Sequence, residues 1–143
     1  MPFNSVAGPD LAIGYAGQLA EPAMPKAARS HTVETAIKSG SVAKRGTDPE
    51  VQIKPLAAGD VVTPGMLAGV VLLSPTRPYE QVDGGSGIEA GNTAACLRFG
   101  SVFMDFAEAV TAGEIVGQDL ATGLLYGYPS DTSDDTLAAG RVL

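Results

Sequence analysis

The chain has no tryptophan, one cysteine and one histidine, and each scarcity removes a class of function. Cys96 cannot close an internal disulfide, so the fold does not depend on oxidative cross-linking and suits synthesis in a reducing cytoplasm. With no cysteine pair and only His31 available, multi-histidine and cysteine-based zinc sites are excluded. A catalytic triad would need His31 beside a Ser or Cys and a carboxylate, and no nucleophile-elbow sequence surrounds any serine. At the join of two chain regions, His31 reads instead as a surface or capping residue. Basic residues are also few: nine against sixteen acidic ones leave a net charge of -7. That charge opposes binding to phosphate backbones, and no nucleic-acid partner is expected. Neither an apolar run of about 18 residues nor a basic segment leading into an apolar one is present. No membrane partner and no secretory leader are expected.

Aromatic residues make up only 6% of the chain, so the core is built from Val, Leu, Ile, Ala and Met. What is abundant is punctuation. Eighteen glycines and ten prolines in 143 residues leave no stretch for a long amphipathic helix, while the 45% hydrophobic content supports a folded body. The expected class is all-β: a jelly-roll-like sandwich or barrel of short antiparallel strands.

The most organised stretch runs from Lys54 to Pro75. Val61-Val62 and Val70-Val71-Leu72-Leu73 flank Pro64-Gly65, which reads as strand, turn, strand. A related phrase returns as Val110-Thr111-Ala112-Gly113, followed by two strands around Asp119 to Gly123. Between His31 and Ile53, Thr32–Ile37, Ser41–Gly46 and Val51–Ile53 read as a β-meander, with Val33 beside Ile37 and Val51 beside Ile53 on one face. Thr93–Arg98 and Ser101–Phe106 read as a pair of strands joined at Phe99-Gly100. The polar, acidic Pro129–Thr136 reads as a surface loop, and Leu137–Leu143 as a closing strand or tail.

Residues 1–30 differ from the remainder. Pro2, Pro9, Pro22 and Pro25 interrupt single apolar residues, a composition suited to an extended arm rather than to helix or central strand. The expected organisation is therefore an arm over 1–30 and one β-rich domain over 31–143. The arm's apolar content calls for a surface to lie on, preferably a neighbouring subunit.

Sites of chemistry are sparse. Gly85, Gly87 and Gly91 miss the dinucleotide spacing by one residue and precede strand rather than helix, so a mobile hairpin loop is expected there. Asp83 with Glu89, and Asp131 with Asp134 and Asp135, match no calcium-loop spacing and read as solvated charge. Cys96 lies in an apolar strand as a small core residue. The Gly59–Leu67 phrase is similar to segments of lipoyl and biotinyl carrier domains, but no lysine follows Lys54 to carry the swinging group. No catalytic, metal or cofactor-binding residue is expected.

Tyr15-Ala16-Gly17-Gln18-Leu19-Ala20, the entry at Ser30 to Thr35, Val42–Asp48, Val110–Val116 and Ala121-Thr122-Gly123 occur in an order that resembles the structural cement, or capsid decoration, proteins of tailed bacteriophages. The resemblance implies a non-enzymatic virion protein, made in the host cytoplasm, that binds the outer surface of the expanded capsid and bridges neighbouring major capsid proteins. It also implies a symmetric oligomer, a dimer on two-fold positions being favoured over a trimer on three-fold ones. Phe3, Leu11, Ile13 and Tyr15 are the expected apolar contacts with the capsid. The competing readings are another virion β-module, such as a tail or receptor-binding component, and a small ligand or carrier domain.

Overall fold

The computed structural model describes residues 15–20, 26–63, 65–73, 81–82, 85–132 and 141–142. Among them no helix occurs and eleven strands are found. They are β1 (Ala27–Val33), β2 (Ile37–Lys38), β3 (Val42–Arg45), β4 (Gln52–Pro55), β5 (Leu67–Val71) and β6 (Gln81–Val82). There follow β7 (Gly85–Ile88), β8 (Thr93–Phe99), β9 (Ile115–Asp119), β10 (Leu125–Tyr128) and β11 (Arg141–Val142).

Five of these close into a barrel in the order β1-β4-β3-β5-β8. The all-β class is therefore observed, and the closed sheet is a barrel. Alternation explains the closure. His31 and Val33 on β1 and Ala94 and Cys96 on β8 are buried, whereas Thr32 and Thr93 are exposed. The interior holds Val33, Ala43, Ile53, Ala68, Val71, Ala94 and Cys96, joined by Ile37 and Ile88 from a neighbouring sheet. Each such Val or Ile contributes about 1.5–3 kcal/mol by leaving water. At Gly69 (φ +132°) a Cβ would collide with the carbonyl of Leu97, so only glycine lets β5 and β8 approach at that corner.

Two small sheets, β2-β7-β6 and β10-β9-β11, lie beside the barrel. In the first, Gly85 and Gly87 belong to a paired strand rather than to the expected mobile loop. A Cβ on Gly87 would fall 2.6 Å from Val82 Cβ and 2.7 Å from the Ile37 carbonyl oxygen, so close packing rather than mobility requires that glycine. In the second, Asp119 closes the β9–β10 turn: its carbonyl accepts from the Gly123 N–H at 2.7 Å and its carboxylate from the Ala121 N–H at 2.9 Å. The two strands expected there are present, and β11 pairs with β9 as a closing strand.

Several expectations give way to long-range pairing. Thr32–Ile37 is not one strand: the chain bends at Glu34–Thr35, and Ile37 enters β2 in a different sheet. The meander is replaced by a crossover in which β4 returns parallel to β1, Thr32 opposite Gln52 and Val33 opposite Ile53. Val51 does not share the inner face with Ile53; it precedes β4 and is half exposed. Val61-Val62 forms no strand, and Val61 is 78% exposed, although Gly65 (φ +87°) and the Met66 N–H to Thr63 carbonyl bond make the expected turn. Its loop is tied down by Asp60, which accepts from the buried Lys44 Nζ at 2.6 Å and from the Ala57 N–H at 2.7 Å. Those bonds, the one from Lys44 first, hold the Asp60 pKa below its usual value.

Candidate binding surface

No group of three or more His, Cys, Asp or Glu side chains that could hold a metal occurs among the described residues. Glu89 and Asp131 are exposed, while Asp83, Asp134 and Asp135 lie outside the described residues. Cys96 is fully buried on β8, and desolvation pushes its thiol up to about 11, so no nucleophilic thiolate forms near neutral pH. His31 is not at the surface, as its position in the sequence suggested. It points into the barrel with 5% exposure, and Nδ1 has no hydrogen-bond partner among the described residues. Burial, and then the charges of Arg29, Arg45 and Arg98, hold its pKa below 6.5.

The base of the N-terminal segment is stitched to the body. The Gly17 N–H donates to the Phe103 carbonyl at 2.9 Å, the Phe103 N–H to the Gln18 carbonyl at 2.9 Å, and the Ala20 N–H to the Ser101 carbonyl at 3.0 Å. On the other side the Leu73 N–H donates to the Gly17 carbonyl at 2.8 Å. Ser101–Phe106 thus does not fold back on β8 as a hairpin. After Gly100 (φ +133°) it meets residues 17–20 instead, with Leu19 and Val102 forming an antiparallel bridge. Gly17 (φ +83°) and Gly40 (φ +79°) pack backbone on backbone: a Cβ on Gly17 would lie 2.7 Å from Leu73 N and 2.9 Å from Gly40 N. The boundary expected at residue 30 falls inside β1, and residues 15–20 are part of the body's hydrogen-bond pattern. Tyr15, where the described segment begins, is 76% exposed. Phe3, Leu11 and Ile13, the other expected contacts, lie outside the described residues.

Two further surface features emerge from the fold. Between the barrel and the β9–β10 turn lies a recess of about 400 Å³, with Ser39, Lys38, Gln118 and Leu125 in its walls. Ser39 Oγ and Gln118 Oε1 are buried without a hydrogen-bond partner among the described residues. At the mouth where β1 begins and β8 ends, Phe99 is 65% exposed beside Ala27, which it opposes in register. Arg29 and Arg98 are exposed there too. Arg29 reaches Glu50 at 3.8 Å, and Arg45 donates to the carbonyls of Gly65 and Pro49 at 2.8 and 2.7 Å. Sequence reading missed this grouping, because the three arginines come to act on the same His31 only once β1, β3 and β8 are in one barrel.

No curated protein matches the chain. A family model described as "Structural cement protein (E217 gp24/Pam3 gp6)" matches residues 3–142. That span takes in the N-terminal residues from 3 onward, the barrel and the final strand alike. The chain belongs to the structural cement proteins of bacteriophages, virion components that stabilise the capsid.

Proposed function

We propose that the protein binds the outer surface of the expanded capsid and clamps neighbouring major capsid proteins together, after being made in the host cytoplasm. The observation that carries this reading is the pinned root of the arm. Gly17 and Gln18 are bonded to Phe103 and Leu73, so a force on the chain N-terminal to them is passed to the barrel's own backbone. Contacts made by Phe3, Leu11, Ile13 and Tyr15 on one capsid subunit are then mechanically joined to contacts the barrel makes on the next.

Packaged DNA strains the seams of a shell, and a protein that binds only across assembled, expanded seams stabilises that state by mass action. Self-association adds avidity, since weak contacts of linked copies act at high effective concentration. A dimer on two-fold positions is the favoured arrangement, with a trimer on three-fold positions as the alternative.

Co-sedimentation with cognate shells that lack the protein, in expanded and unexpanded forms, tests the proposal. Saturable binding to expanded shells alone, with a higher shell melting temperature, is the expected result and gives the copy number. Deleting residues 1–14 is expected to weaken that binding while leaving the body's own melting temperature unchanged. Binding to neither shell would refute the cementing role on the capsid surface.

A further inference from the structure

The barrel is closed, yet one stretch of it has an unused side. β1 pairs with β8 along its whole length, from Ala27 opposite Phe99 to Thr32 opposite Thr93. With β4 it pairs only at Thr32 and Val33. The chain that would continue β4 backward is drawn aside into a turn at 47–51, held by the Arg45 guanidinium on the Pro49 carbonyl and by the Val51 N–H on the Asp48 carbonyl at 3.2 Å. The Thr32 and Glu34 N–H groups donate toward that side, to Val51 and Ile53 at 2.7 and 2.8 Å. By the two-residue period of a strand, the N–H and C=O of Ala28 and Ser30 face the same way, where β4 is absent. All of Ala27–Ser30 is exposed. Such an edge is a template for an added strand unless it is blocked, and no proline or bulky cover blocks this one among the described residues.

The surroundings of the edge define what it would accept. Arg29 lies on the edge itself, Arg98 and the exposed Phe99 stand on the adjoining strand, and Arg45 lies near the mouth, the three arginines acting together on His31. Arg98 makes no ion pair among the described residues, and Arg45 spends its donors on neutral carbonyls. Only Arg29 is partly offset, by Glu50. Arginine and aromatic side chains together are the composition of interface anchors, and guanidinium groups select carboxylates.

We propose that the Ala27–Ser30 edge of β1 docks an extended, carboxylate-bearing segment of the major capsid protein as an added strand, its acidic side chains on Arg29 and Arg98 and an apolar one on Phe99. The assignment rests on the cementing role above and gives it a chemical partner. A two-fold pairing of this edge with itself is disfavoured, because it would set the same arginines of two copies against one another. The acidic stretch of a neighbouring copy is the other source of carboxylates: residues 100–132 carry Asp105, Glu108, Glu114, Asp119 and Asp131 and no Lys or Arg.

Two full-length variants test the edge in different ways. Arg29→Glu with Arg98→Glu reverses its charge, and Ala28→Pro removes an edge N–H that the β8 ladder does not use. Each is expected to lower affinity for expanded shells about tenfold or more, with the free protein's melting temperature preserved. The charge-reversed form also loses the salt dependence of binding. A photoreactive amino acid in place of Phe99 is expected to cross-link to an Asp- or Glu-containing peptide of the major capsid protein. Wild-type binding by both variants, or a cross-link to a second copy of this chain, would overturn the proposal while leaving the cementing role intact. Failure of the wild-type protein to bind expanded shells would remove both.

Discussion

His31 is held neutral on the inner face of β1, and its pKa is lowered by burial first and by the nearby arginines second. A histidine whose folded pKa lies below the unfolded one costs nothing while both states are neutral. As pH falls through 6.5 the unfolded chain takes up the proton first, so stability declines from there until the folded form is protonated as well. Unfolding in urea at a series of pH values is therefore expected to show a declining midpoint below that pH, and His31→Gln is expected to flatten that decline. An unchanged slope in the variant would mean that carboxylates elsewhere govern the acid response. Nothing in the sequence marked His31 as interior. Its neighbours Ser30 and Thr32 are polar, and its side of the strand is fixed by pairing with Ala94, 63 positions away. The Lys44–Asp60 pair was hidden for the same reason, since a loop brings the carboxylate back to β3.

At the level of elements, the arm root depends on two facing glycines, and the contrast with an open glycine turn isolates what their proximity contributes. Gly59 (φ +86°) has nothing within 4 Å of the position a methyl would take, so Gly59→Ala is expected to cost about 1–2 kcal/mol from left-handed backbone strain alone. Gly17→Ala meets Leu73 N and Gly40 N as well and is expected to cost about 1–3 kcal/mol more. Thermal unfolding of the pair checks this; equal losses would show that the arm root relaxes away from the body at little cost. The strands expected within Ser41–Gly46, at Thr93–Arg98 and around Asp119 to Gly123 were legible, to within a few residues of β3, β8, β9 and β10, because alternation and turn residues are local signals. The parallel β1–β4 crossover and the meeting of Gln18 with Phe103 were not, because strand partners are chosen by burial across the whole barrel rather than by neighbouring residues. The arginine grouping at the mouth inherits that limit.

For the molecule as a whole, the barrel's single thiol is a built-in reporter. Cys96 lies between β1 and β5, opposite Arg29 and Val71, with no exposure. Reaching it requires the barrel to open, so a thiol reagent is expected to label the native protein only at the rate of global unfolding. If the proposed β1 edge docks on expanded shells, binding is expected to slow that labelling further, because that edge is intact only in the closed barrel. Fast labelling of the free protein, insensitive to conditions that stabilise the fold, would show that the barrel opens locally at β8.

The bond between Gln18 and Phe103 also imposes an order on biosynthesis. A chain emerging from the ribosome exposes residues 15–20 long before their partners at 101–103 exist, and the β1–β8 closure likewise waits for Thr93–Phe99. Non-local closures of this kind fold slowly. Residues 15–20 are thus among the first to be made and wait longest for their partners, so a nascent copy has no completed barrel to present until most of its chain has been synthesised.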